Sequence, residues 1–163
     1  MISLETSLKH LAWSNQRVFE FFANQPEVVF GLRAAEGEWP IGQILTHLAG
    51  SGEWYRYCLN ETLWTDLKPV VNGSVSREYL SIIAELDAVL FENCSGPDRE
   101  LTIQGDNEII HASTSLILSQ AVMHAAEHKG QIAAIMKQHG REFNLDGLDV
   151  WSFIHESKSK GKG

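Results

Sequence analysis

Cysteine is scarce in this chain: two in 163 residues, Cys58 and Cys94, with no short-range motif joining them. Two thiols cannot staple a chain of this size, so a disulfide framework is excluded and stability must come from a buried apolar core. Long hydrophobic runs are missing as well. No stretch approaches the roughly 20 apolar residues that cross a bilayer, so no membrane span is predicted. The opening "MISLETSLKHLAW" carries Glu5 and lacks an uninterrupted apolar segment. It does not read as a signal peptide, and a cytoplasmic location is expected. Positive charge is outnumbered, 13 Lys and Arg against 21 Asp and Glu, for a net charge of −8. Such a surface repels phosphate backbones and anionic head groups, so neither nucleic acid nor membrane is an expected partner. The one basic cluster is the tail "KSKGKG", whose Gly, Ser and Lys composition suggests a frayed end.

What is present fits a globular chain, with 44% apolar and 21% charged residues and enough length for its own core. Apolar residues recur at three- and four-residue spacings over residues 2–24 (Leu4, Leu8, Leu11, Val18, Phe21, Phe22), which predicts a first amphipathic helix. Pro26 and Gly31 end it. Pro40 suits the first turn of a second helix over residues 41–61. Ser76 is a candidate N-cap for a third, "REYLSIIAELDAVLFENC". Then "ELTIQGDNEIIHAS" holds two β-prone runs around a turn signal, as in a hairpin. A fourth helix, about residues 114–139, stops at Gly140, and "DGLDVWSFIHES" could add a short fifth. The expected fold class is all-α: a four-helix bundle with a hairpin-like insertion between helices three and four. One domain over residues 1–156 and a flexible tail over 157–163 are expected. The linkers are long enough for two consecutive helices to run parallel.

Histidine carries the functional signal. In helix four, Leu116, Ile117, Ala121, His124, His128, Ile132 and Ile135 fall largely on one stripe, so His124 and His128 interrupt the face that should turn inward. Residues four apart on a helix are neighbours, and two imidazoles so placed can reach one cation. His47 lies in helix two beside the inward-facing Ile44 and Leu48. Three buried imidazoles are costly without partners, and a divalent cation satisfies all three while leaving positions open, as in catalytic sites. His10, His111, His139 and His155 are expected at surface or capping positions. Cys58 lies eleven residues beyond His47, about 16 Å along the helix axis, too far to share the metal.

A tryptophan before helix two, then "IGQILTHLAGSGEW", then "HAAEHKGQI" in helix four, resembles the DinB/YfiT-like family over about residues 4–155. The resemblance implies an up-down-down-up four-helix bundle, commonly dimeric, with His47, His124 and His128 as its metal triad. Lys129 replaces the family's more usual arginine and lacks its planar fork. Characterised relatives are metal-dependent enzymes using low-molecular-weight thiols, as S-transferases or a thiol-dependent isomerase. The resemblance thus implies a divalent transition metal (Zn, Ni or Fe), a thiol cosubstrate and a small-molecule electrophile. Glu53, Trp54, Tyr57, Glu127 and Gln131 are candidates for the substrate pocket or for supporting the ligands. Two other readings stand beside this one. The string H-A-A-E-H also fits metal-assisted hydrolysis of a small substrate with Glu127 as base, and the bundle could bind a metal or ligand without catalysis.

Overall fold

A computed structural model describes residues 4–105 and 107–160. The chain is mostly helical: α1 (Leu4–Phe22), α2 (Ile41–Asn60), α3 (Gly73–Cys94), α4 (Thr114–Gln138) and α5 (Val150–Lys160), with one antiparallel pair, β1 (Glu100–Gln104) and β2 (Ile109–Ser113). Among the described residues no helix is long and apolar enough to cross a membrane. The tail expected from residue 157 begins inside α5, and the expected frayed end at residues 161–163 lies outside the described residues.

Helix periodicity decides what is buried. On α1 the buried set is Leu8, Leu11, Ser14, Asn15, Val18, Phe19 and Phe22, recurring at three and four residues as an inward stripe requires. Two polar residues stand in that stripe, and both have partners. Ser14 donates to the Leu11 carbonyl, and the Asn15 amide donates to the Asp87 carboxylate on α3. The third helix starts earlier than a Ser76 cap would allow. The Asn72 side chain accepts from the Val75 amide and caps a helix beginning at Gly73. Ser76 is instead buried and donates to the Phe19 carbonyl, tying α3 to α1. Leu116, expected on the inward stripe of α4, is 58% exposed, and Leu118 is buried in its place. Ala121, Ile132 and Ile135 are buried as expected, and only the first turn differs: Leu118 lies three residues before Ala121 and shares its face, whereas Leu116 lies five before it, about 140° away.

Side-chain contacts set the neighbours. Along α1 and α3, Asn15 meets Asp87, Phe19 meets Ser76 and the Ala23 carbonyl meets Arg77, so the two run antiparallel. Along α2 and α3, Gly52 lies against Leu86 and Asn60 accepts from Asn93. Between α2 and α4, His47 meets His124. A shared core joins all four long helices, with Phe19, Phe22, Ile41, Ile44, Leu45, Tyr79, Leu118, Ile132 and Met136 almost wholly buried. The hairpin packs on α2 as a smaller cluster, Ile103 and Ala112 against Cys58. Helix α5 lies on α1: Trp13 Nε1 and Arg17 both donate to Glu156, and Phe153 packs on Trp13 with ring centroids 5.6 Å apart.

The irregular segment between α2 and α3 is held down at Val70. Its amide donates to Thr46 Oγ1 at 2.8 Å, and its side chain is buried. A Cβ on Gly42 would sit 2.2 Å from the Val70 carbonyl oxygen and 3.2 Å from that of Phe30. Only glycine admits this approach of two backbones. In mid-α4, by contrast, a Cβ on Gly130 meets nothing within 4 Å. Gly42→Ala should therefore lower stability by about 1–3 kcal/mol through overpacking. Gly130→Ala should raise it by up to about 1 kcal/mol through helix propensity. Urea unfolding of the two variants checks this, and equal effects would refute it.

Candidate metal centre

Three helical positions converge on one point. His47 is on α2, while His124 and His128 occupy successive turns of α4. Their Nε2 atoms are 3.1 Å apart between His47 and His124, and 3.1 Å between His128 and His124. A ligand atom from each lies within 4.8 Å of the others, a group that could hold a metal ion. The rings stand edge to face, inclined at 62°, 83° and 78° with centroids 4.4–5.0 Å apart. Side by side they would stack; inclined, they aim three nitrogen edges inward.

The donor set can be tested against the proton count. His128 Nδ1 lies 2.9 Å from Gln131 Oε1, an acceptor, so Nδ1 carries the proton and Nε2 presents a lone pair. His124 Nε2 touches both other rings, yet a neutral imidazole has at most one proton there. Whichever way that proton points, three neutral rings leave one of the two 3.1 Å contacts without a linear hydrogen bond. A cation at the convergence removes the conflict, since it accepts all three lone pairs at once. The residues therefore fit a metal.

Electrostatics favours the same state. Burial, then repulsion from His128 and His47, pushes His124 down to about 4, with Glu127 partly offsetting the shift. Burial, then His128, lowers His47 as well. Neutral imidazoles are what a metal requires as ligands.

Beside the cluster opens a cleft of about 370 Å³, lined by His47, Gly50, Ser51, Trp54, Tyr55, Gln120 and His124. Trp54 packs against Tyr57 and Trp64 at centroid distances of 5.5 and 5.8 Å. Trp39 closes another side, its ring 4.9 Å from that of His47 and stacked on His128 at 6.5 Å.

The other candidates are distributed differently. Gln131 touches His128 directly. Trp54 lines the cleft, and Tyr57 stands behind it, donating to the Gln104 carbonyl of the hairpin at 3.1 Å. Glu53 is buried away from the cleft and paired with Arg56, which also reaches the Leu63 carbonyl. Glu127 is exposed on α4 and acts on His124 through its charge. Lys129 is buried and donates to Ser14 on α1. His10 donates to the Leu148 carbonyl, His139 lies against the Arg33 carbonyl, His111 is exposed on β2 and His155 is exposed on α5.

Tyr55 and Gln120 line the cleft without having been singled out by sequence. A signal existed for both: Tyr55 is about two turns beyond His47 and Gln120 one turn before His124, near the faces that carry the histidines. Trp39 stood in the sequence only as the tryptophan before helix two, and since it precedes the helix no periodicity could place it beside the histidines.

The family model described as "DinB family" matches residues 1–152. No curated protein matches the chain.

The depressed His124 basicity has a consequence for folding. Its ordinary value is 6.5 and its folded value about 4, so between these limits the unfolded chain takes up a proton that the folded site refuses. Stability from this group is complete above pH 6.5 and is lost as the pH falls towards 4. In metal-free protein, the stability of the wild type relative to His124→Gln should be flat above pH 7 and decline through that window. Urea unfolding at stepped pH measures it, and a flat difference down to pH 4 would contradict the assignment.

Proposed function

The chain belongs to the DinB family, and from that premise we propose that it is a metal-dependent enzyme, an S-transferase or related catalyst joining a low-molecular-weight thiol to a small electrophile. The observation that carries the reading is the convergence of three imidazole Nε2 atoms beside an open cleft. A divalent transition cation (Zn, Ni or Fe) held by His47, His124 and His128 would supply open coordination positions at which a thiol is stabilised as its thiolate at neutral pH.

The chain's own residues have the complementary tasks. Gln131 fixes the tautomer and ring plane of His128. Trp39 restrains His47 and His128 from the opposite side. Trp54, backed by Tyr57 and Trp64, offers an apolar aromatic wall for the electrophile. Among the described residues, no side chain lining the cleft is a ready nucleophile. Cys58 is buried in the hairpin cluster, where burial pushes its thiol up to about 11. A nucleophile brought by a cosubstrate answers that lack. Water activation with Glu127 as base is the weaker alternative, since Glu127 is not among the cleft residues. Binding of a metal or ligand without catalysis is the remaining one, and turnover in the thiol screen below would eliminate it.

The same reading extends to architecture. We take the four long helices as an up-down-down-up bundle: α1 and α3 pair head to tail, while the Gly52–Leu86 and Asn60–Asn93 contacts let α2 and α3 run together. We further take the working form to be a cytoplasmic homodimer. Its support is the family resemblance, the two free cysteines, and apolar side chains such as Leu116 and Met123 left 58% and 70% exposed on α4.

Elemental analysis of untagged protein tests the core of this reading. One equivalent of transition metal is expected in the wild type, and loss of it in His47→Ala, His124→Ala and His128→Ala. Metal-loaded protein should then consume thiol when offered small electrophiles, with no turnover in the His variants. Failure to bind zinc, nickel or iron would overturn the metal reading. Ester hydrolysis without added thiol would replace the transferase with the hydrolase.

A further inference from the structure

Asp87 is a buried carboxylate that the reading above leaves without a task. It sits on α3, 7% exposed, and both its oxygens accept from Asn15 Nδ2, at 3.0 and 3.1 Å. Lys129 acts on it through charge, yet the two do not form an ion pair. One amide donor is a thin shell for a buried carboxylate, which has room for about four hydrogen bonds.

Next to it is a small space of about 20 Å³ between the helices, lined among others by Asn15, Ser51, Tyr55, Asp87 and His124. A space that size holds one water, and a buried water needs two to four polar partners, which these side chains supply. The space also reaches a metal-ligand candidate. His124 directs Nε2 to the other two rings, so its remaining donor is Nδ1–H. A ligating histidine almost always gives that second N–H to a carboxylate, a carbonyl or a water. For His128 the acceptor is Gln131.

We propose that Asp87 is a positioning residue for His124, acting through one water in this space that accepts from His124 Nδ1–H and donates to the Asp87 carboxylate. The inference rests on the metal reading. It adds a line of polar contacts through the bundle, from Asn15 on α1 and Asp87 on α3 to a ligand on α4. The buried acid thereby sets the tautomer and ring plane of His124, as Gln131 does for His128.

Zinc affinity of the full chain, measured by competition with a chromophoric chelator, is the test. Asp87→Asn keeps the shape and should weaken zinc binding about 10–100-fold. The d–d absorption of the cobalt-substituted protein should shift as well. A carboxylate that merely ties α1 to α3 would move the melting temperature but neither of these. Wild-type affinity and an unchanged cobalt spectrum in Asp87→Asn would overturn the inference alone. Absence of zinc binding by the wild type would overturn the metal reading and this inference with it. Should Asp87→Asn fail to fold, nitrogen-15 NMR of the zinc-loaded wild type decides. A protonated His124 Nδ1 with cross-relaxation to a bound water is expected. Zinc ligation through Nδ1, or no such water, would refute it.

Discussion

Three imidazole nitrogens brought within hydrogen-bonding distance are a constraint that neutral histidines cannot fully satisfy among themselves, and much of the rest of the structure is arranged to hold it. The cluster spans α2 and α4, so it exists only while those helices keep their register. That register is held by the apolar layers on either side, Ile44, Leu45 and Leu48 on α2 against Leu118, Ala121 and Ile132 on α4. Burial lowers the basicity of His47 and His124 and so keeps them in the uncharged form that a metal accepts. The core therefore supplies both the position of the three imidazoles and the uncharged state of His47 and His124.

The polar residues inside the bundle follow the same logic. Ser14, Asn15, Ser76, Asp87 and Lys129 are all buried, and each has a named hydrogen-bond partner on a neighbouring element or on its own helix. Buried polar groups of this kind tolerate few alternative packings, because a shift that breaks one bond leaves two groups unpaired. Lys129 illustrates the exchange between charge and geometry. As an ammonium on a flexible stem it reaches across to Ser14 on α1, a single-point contact that does not require the planar fork of an arginine.

Much of this was legible in the chain itself. The three- and four-residue spacing of Leu8, Leu11, Val18 and Phe22 marked α1, and the turn signal in "QGDN" marked the hairpin between β1 and β2. The spacing of His124 and His128, with His47 beside Ile44 and Leu48, placed all three imidazoles on inward faces. What periodicity could not supply were contacts made by the irregular backbone. Trp39 and Trp64 lie outside helices, and their place beside the histidines and Trp54 depends on how the connecting segments fold back. Glu53 shows the opposite failure. It neighbours Trp54 in sequence, but a step of about 100° per residue turns it to another side of α2, where Arg56 neutralises it. The start of α3 is ambiguous in the sequence because two residues able to cap, Asn72 and Ser76, lie four apart, and only tertiary packing shows that Ser76 is used for α1.

The segment from Glu61 to Val70 leaves α2 through a left-handed residue and is fastened back to that same helix twice, by Arg56 at Leu63 and by Thr46 at Val70. Its far end is tied to α3 as well, where Tyr79 Oη donates to the Lys68 carbonyl. Its middle carries the exposed Trp64, which packs on the cleft-lining Trp54, while none of these fastenings involves His124 or His128 on α4. The exposed residues between these fastenings, Trp64 to Asp66, can thus vary without any fastening being lost. A single three-histidine frame can in this way be fitted with different cleft walls.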